Sequence, residues 1–307
     1  MLDLNYGYSD CLAKSDEIGW KLDDVLRADA VYDFGRRFLP DSMVRNTTLD
    51  LLSERERLTL NQLTARGYFS LLGQLEQGII AGSVRKAQLV LLGENEAARA
   101  LVRVAEEEFK HQLLFERAVA IFDAQFPVEC AGIDIGTRVS ELVISRGSLP
   151  AVFMTLHLEL VTQWYYSECV RRDNGTEPLV KRVLEYHWFE EFQHAKIDTL
   201  ELVRETATTS DGAIDGAIYD YLQIAESIGD LVATQADLDV RTLEVAIDRR
   251  FDADDFERLR ASRAAAYGSM FVVSGMLNPH FLEVVHRVFP EGPAIIEQRA
   301  KAVIDFP

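Results

Sequence analysis

Three residues return at one fixed interval, and that interval restricts what this chain can fold into more than any other feature. Glu76, Glu108 and His111 are followed by Glu159, Glu191 and His194, and 159 − 76, 191 − 108 and 194 − 111 are all 83. In each set an isolated glutamate sits in an apolar segment (LLGQLEQGII, TLHLELVTQW), and a Glu-x-x-His pair follows 32 residues later. On a helix, positions i and i+3 share a face, so each Glu-x-x-His presents a carboxylate and an imidazole together. Two helical hairpins, each bringing Glu and then Glu-x-x-His to a shared centre, make the carboxylate-bridged two-metal site of a ferritin-like four-helix bundle. The expected fold class is therefore all-α.

His187 adds a seventh residue to the set. In EYHWFEEFQHAKIDTL, His187, Glu191 and His194 fall at i, i+4 and i+7 on one stripe. Trp188, Phe189, Phe192 and Ile197 flank it, which argues against a solvated face. Two imidazoles and a carboxylate turned into an apolar interior are costly to desolvate without a partner, and a metal ion is the most direct one. The position 83 residues before His187 is Val104, so this ligand has no counterpart in the first hairpin.

Each position has a plainer reading to set beside the metal one. A single Glu-x-x-His is close to what chance supplies, and a third instance, Glu283 with His286, lies between Pro279 and Pro290 with no matching upstream carboxylate. It is read as packing or surface. Glu168 competes with Glu159, but nine residues on a helix put the two on opposite faces, and the apolar context selects Glu159. Glu107 and Glu190 are also 83 apart and also lie one turn before the histidines, so the repeat alone does not choose the register. The Glu-x-x-His usage of such bundles selects Glu108 and Glu191, and leaves Glu107 and Glu190 as supporting or surface residues. His157 should face away from Glu159 as a packing histidine, and His280 should be exposed. Trp164, Tyr165, Tyr166, Trp188, Phe189 and Phe192 could line a substrate pocket, though at helical spacing such residues more often form core.

Helix signals lay the ligands out along the chain. Ser53 with Glu56 is a capping box that opens a first core helix, expected to run to about residue 81, where Gly82-Ser83 interrupts it before a shorter helix to 92. A second runs from an N-cap at Asn95 to about 125, a third over about 151–172, and a fourth over about 179–206. Pro40 and Asn46-Thr47-Thr48 make the lead-in irregular, with a short helix over 16–28. Apolar-periodic stretches at 213–234, 240–250 and 254–276, then two short helices, complete the chain. The expected organisation is a single all-helical domain over 1–307, with site helices at about 53–208 and packing helices at about 212–305.

The net charge of −18 in 307 residues disfavours binding to nucleic acid or to an anionic membrane surface. No secretory signal is visible and no apolar run approaches the ~20 residues needed to cross a bilayer, so a cytoplasmic protein is expected. Cys11, Cys130 and Cys169 are scattered, without C-x-x-C spacing, which excludes a thiolate-zinc or iron–sulfur site. Four carboxylates and two divalent cations nearly cancel, so the centre can be buried. Oxygen and imidazole donors without thiolate suit two iron ions, with manganese possible, and O2 as co-substrate. No G-x-G-x-x-G nucleotide fingerprint is present, so reducing electrons would come from an external donor or from the substrate.

Glu76-Gln77, EFKH from Glu108 to His111, Glu159, and above all H-x-x-x-E-x-x-H from His187 to His194 resemble the p-aminobenzoate N-oxygenase (AurF-type) di-iron proteins. The extra histidine is the distinctive mark of the likeness, which spans roughly residues 55–205. The resemblance implies a homodimeric non-haem di-iron monooxygenase that oxidises an amine nitrogen of a small molecule through hydroxylamine toward nitro. A di-iron C–H hydroxylase or desaturase is the alternative, and an iron-handling ferritin a more distant one.

Overall fold

The structure is a computed structural model describing residues 5–44 and 50–304; the Asn46-Thr47-Thr48 break lies outside the described residues. The helices in chain order are α1 (Tyr8–Ile18), α2 (Leu22–Val25), α3 (Asp41–Val44), α4 (Glu54–Val90), α5 (Asn95–Gln125), α6 (Gly136–Ser145) and α7 (Ser148–Tyr165). A π-helical turn, Tyr166–Val170, continues α7. Then come α8 (Pro178–Thr206), α9 (Asp211–Ala246), α10 (Ala253–Gly268), a second π-helical turn (Ser269–Val273), α11 (Ser274–Met276), α12 (Pro279–Val288) and α13 (Gly292–Ile304). Among the described residues the β pairing is confined to an isolated bridge between Arg37 and Thr176.

The two hairpins α4–α5 and α7–α8 form a ferritin-like four-helix bundle, with α5 packed on α8 and α4 on α7. The capping box forms as expected: Glu56 N–H donates to Ser53 Oγ at 3.3 Å, and Ser53 N–H donates to Glu56 Oε2 at 2.7 Å. At the far end of α5, Phe126 turns extended ahead of Pro127, whose ring disfavours helix in the residue before it. Helix α7 is buried on all sides, with every residue from Leu149 to Val161 shielded from solvent. It is the central element that the others cover: α9 packs on it, and α1 lies across α5 and α8.

The structure corrects several expected boundaries. Gly82-Ser83 does not break α4, which runs 37 residues without interruption. A mid-helix glycine costs roughly 1 kcal/mol against alanine, and packing against α6 and α7 on this stretch outweighs it. The short N-terminal helix forms over Tyr8–Ile18 rather than 16–28, because Gly19 closes it with its N–H on the Ser15 carbonyl. Asn95 is the first residue of α5, and Glu94 takes the cap position. The stretches at 213–234 and 240–250 fuse into α9. Gln235 and Asp239, which interrupt the apolar pattern, are buried and bonded to each other at 2.8 Å, and Tyr267 donates to Asp239 at 2.5 Å. Polar residues that look like a break thus become an internal network. The third core helix is regular only to Tyr165 before its π-turn, a form that often marks functional sites.

Candidate metal centre

All seven residues singled out by the repeat and the histidine stripe converge, and none is more than 3% exposed. Glu76 comes from α4, Glu108 and His111 from α5, Glu159 from α7, and His187, Glu191 and His194 from α8. Two four-residue groups have donor atoms within 4.8 Å of one another: Glu76, His111, His187 and Glu191; and Glu108, His111, Glu191 and His194.

The inner geometry is reciprocal. His111 Nδ1 lies 3.0 Å from Glu108 Oε2 and 2.9 Å from Glu191 Oε1. His194 Nδ1 lies 2.7 Å from Glu108 Oε1 and 3.1 Å from Glu191 Oε2. Each of these carboxylates therefore reaches both histidines with its two oxygens, the disposition of a bridging ligand. Glu76 and Glu159 close the ends. Glu76 Oε1 is 3.4 Å from His187 Nε2, and Glu159 Oε2 is 3.9 Å from His194 Nδ1. His187 Nε2 also approaches Glu191 Oε1 at 2.5 Å, so the extra histidine belongs to the Glu76–His111 end, across the bundle from the hairpin partner of its own helix.

Glu107 and Glu190, left open by the register argument, are buried and hold the histidines from outside. His111 Nε2 donates to Glu190 Oε2 at 2.9 Å, and His194 Nε2 donates to Glu107 Oε2 at 2.9 Å. A proton fixed on Nε2 leaves Nδ1 free to point inward, the carboxylate–histidine support usual around ligating imidazoles. Lys110 holds Glu190 at 2.5 Å and lies over the Trp20 ring, which itself stacks on His111. Ser15 donates to Glu107. Nothing in the sequence near Ser15 or Trp20 marks them as neighbours of the site; α1 and the segment after it bring them there.

The electrostatics ask for positive charge at the centre. Burial, with Glu108 and Glu191 beside it, raises the Glu76 carboxyl well above its ordinary range. Burial alone would also raise Glu108, yet His194 and His111 hold it well below. Those two imidazoles are in turn raised well above normal, against the pull of burial, by the surrounding glutamates. Protonated histidines thus stand where a cation would. Glu159 Oε1 is buried without a hydrogen-bond partner, and such an orphaned acceptor fits a metal ligand.

Two small cavities adjoin the centre. One is lined by Glu76, Glu159, His187 and Glu191 together with Leu75 and Leu158. A second shares Thr162 and His187 with it and continues past Tyr68, Tyr165 and Tyr166 to Met43. Of the aromatic candidates, Tyr165 and Tyr166 line this space. Trp164, Phe189 and Phe192 are exposed and do not, so Phe189 and Phe192 gave no sound argument for a buried stripe. The remaining histidines fall as expected: His157 is buried against Tyr221 Oη at 2.8 Å, while His280 is exposed, as is His286, which lies near the Pro290 carbonyl. Glu168 is exposed and Glu159 buried.

Comparison with known proteins adds two findings. The chain is similar in structure to R2-like ligand-binding oxidase variants. One carries an aerobically reconstituted Mn/Fe cofactor, at 14% identity and TM-score 0.44, over 88% of this chain and 95% of that one. Another carries an Fe/Fe cofactor, at 13% identity and TM-score 0.43, with the same coverage. No individually curated protein matches. The family profile of the p-aminobenzoate N-oxygenase AurF matches residues 11–215, which include every residue of the centre. The chain belongs to the p-aminobenzoate N-oxygenase AurF family and is a di-metal oxidoreductase.

Proposed function

We propose that Glu76, Glu108, His111, Glu159, His187, Glu191 and His194 hold two metal ions and that the chain uses O2 there to oxygenate the nitrogen of a small amine. The metal is iron at both positions, with manganese able to replace it. One observation carries this reading: the two Nδ1 atoms face each other across a pair of glutamates that reach both. Two redox metals held in this way supply the electrons and the Lewis acidity that O2 reduction requires. The protein's own part is to fix the donors. Glu107 and Glu190 set the histidine tautomers, while Phe115, 4.9 Å from His187 between ring centroids, and Leu72, Leu75 and Ile79 exclude bulk water. The narrow cavity running from His187 past Tyr165 and Tyr166 marks the side from which a small aromatic amine would approach, its nitrogen toward the His187 end. Oxygenation of an amine is supported by the family to which the chain belongs.

We read the chain as one domain acting in the cytoplasm, with electrons from an external donor; no described helix is long and apolar enough to cross a membrane. A homodimer is supported by exposed Val102, Phe109 and Leu113, which at spacings of seven and four form an apolar stripe on α5. The test is anaerobic loading with Fe(II), elemental analysis, then O2 with a panel of arylamines. Two metals per chain and conversion of an arylamine to its hydroxylamine are expected. A chain that takes up no transition metal, or one that reduces O2 while leaving every amine unchanged, would overturn the proposal at its first or second step.

A further inference from the structure

Insertion of one oxygen atom into an amine obeys RNH2 + O2 + 2e⁻ + 2H⁺ → RNHOH + H2O. The external donor supplies the electrons, and the two protons must cross to a centre from which solvent is excluded. A cleft between α4, α6, α7 and α8 runs from the surface toward the centre. Its mouth lies at exposed Arg85 and Leu89, and its inner end at Thr155 and Asp198. Thr155 precedes Glu159 by one turn of α7, and Asp198 follows His194 by one turn of α8. This pair is therefore the layer between the cleft and the Glu159–His194 end of the centre.

We propose that Thr155 and Asp198 are the proton route from this cleft to the centre, a function that rests on the oxygenase reading above. Both side chains are buried and line the inner end of the cleft, where the Thr155 hydroxyl donates to the Val152 carbonyl at 3.2 Å and faces Asp198. Burial pushes the Asp198 carboxyl up to about 7, so it both carries and releases a proton near neutrality. The charged groups facing it come from two elements. Lys86 of α4 and His194 of α8 favour the carboxylate, while Glu201 of α8 favours the acid. Lys86 is itself buried and sits 3.1 Å from Glu201 and 2.8 Å from Glu205, and Tyr8 donates to Glu201 at 2.5 Å. Protons taken up along this rim reach Asp198, and the Thr155 hydroxyl passes them on toward Glu159. The other half of the bundle offers no equivalent: 83 residues earlier, Thr155 becomes Leu72 and Asp198 becomes Phe115. Both of these are buried and apolar, so neither can carry a proton.

Two measurements on the full chain test this. In metal-free protein, infrared titration should show a carboxylic-acid band that fades through neutral pH and is missing from Asp198→Asn. In metal-loaded protein supplied with a chemical reductant and an amine, Asp198→Asn should consume O2 at least ~10-fold more slowly while keeping its metal, and Asp198→Glu should recover most of the rate. The variant should also lose the pH dependence that the wild type shows near neutrality. Wild-type O2 consumption by Asp198→Asn across pH 6–9, or equal impairment of Asn and Glu variants with loss of metal, would overturn the route. A metal-loaded wild type that consumes no O2 would instead sink the oxygenase reading, and the route with it.

Discussion

The α4–α5 half of the bundle and the α7–α8 half carry the same Glu and Glu-x-x-His residues, but little else about them matches. What they share is an end carboxylate, a carboxylate that reaches both inner imidazoles, an imidazole, and an outer glutamate that holds the imidazole of the opposite half. What they do not share falls around that core. His187 answers to Val104, Asp198 to Phe115, Thr155 to Leu72, and His157 to Gln74. Helix α4 stays regular through the positions where α7 yields to a π-turn. The symmetric residues make a centre that any di-metal bundle could use; the asymmetric ones make its two ends chemically different. One end gains a third imidazole and an adjoining aromatic cavity, and the other gains a polar connection to the surface.

The comparison can be broken most forcefully at the bridging pair. Glu108→Ala and Glu191→Ala should each weaken both metals by more than ~100-fold, since each carboxylate touches both histidines and its loss leaves buried imidazoles unpartnered. Metal titration would decide it, and loss of one metal with full retention of the other would show that the carboxylates do not bridge. A smaller and one-sided effect is expected from His187→Ala. Affinity should fall ~10-fold at the Glu76–His111 end alone, resolved as one weakened step in an anaerobic Fe(II) titration. Equal weakening of both steps would show that the asymmetry does not lie at His187.

The smallest effect concerns stability rather than metal. Burial lowers His157 to about 4, below the ~6.5 of an unfolded chain, so the unfolded state binds the extra proton first as pH falls. The stability this histidine contributes is full above about 6.5 and is lost as pH drops from there to about 4. The whole span amounts to ~3 kcal/mol. His157→Gln, which installs the residue type of the other half, should flatten that acid limb in thermal melts of metal-free protein. An unchanged slope between pH 4 and 6.5 would place the acid sensitivity elsewhere.

Much of this was legible in the residues because ligand chemistry is local on a helix. Glu-x-x-His needs only i,i+3 geometry, and the repeated interval of 83 ties two distant hairpins together without any knowledge of their packing. The same logic failed wherever a residue's meaning depended on a neighbour far along the chain. Gly82-Ser83 and the Gln235–Asp239 stretch looked like breaks, yet tertiary packing carried the helix through both. Phe189 and Phe192 looked like core and are exposed, because apolar identity does not say which side of a helix another helix will cover.

By itself, then, the sequence determined the all-helical class and picked out the seven residues that converge, since each follows from residue type and helical spacing. Only the tertiary structure decided that Glu107 and Glu190 reach across to the opposite histidines, that His187 serves the far end, and that Trp20 and Ser15 lie against the supporting shell. Those facts depend on the relative rotation and stagger of whole helices, which is set by the sum of many packing contacts rather than by any local pattern.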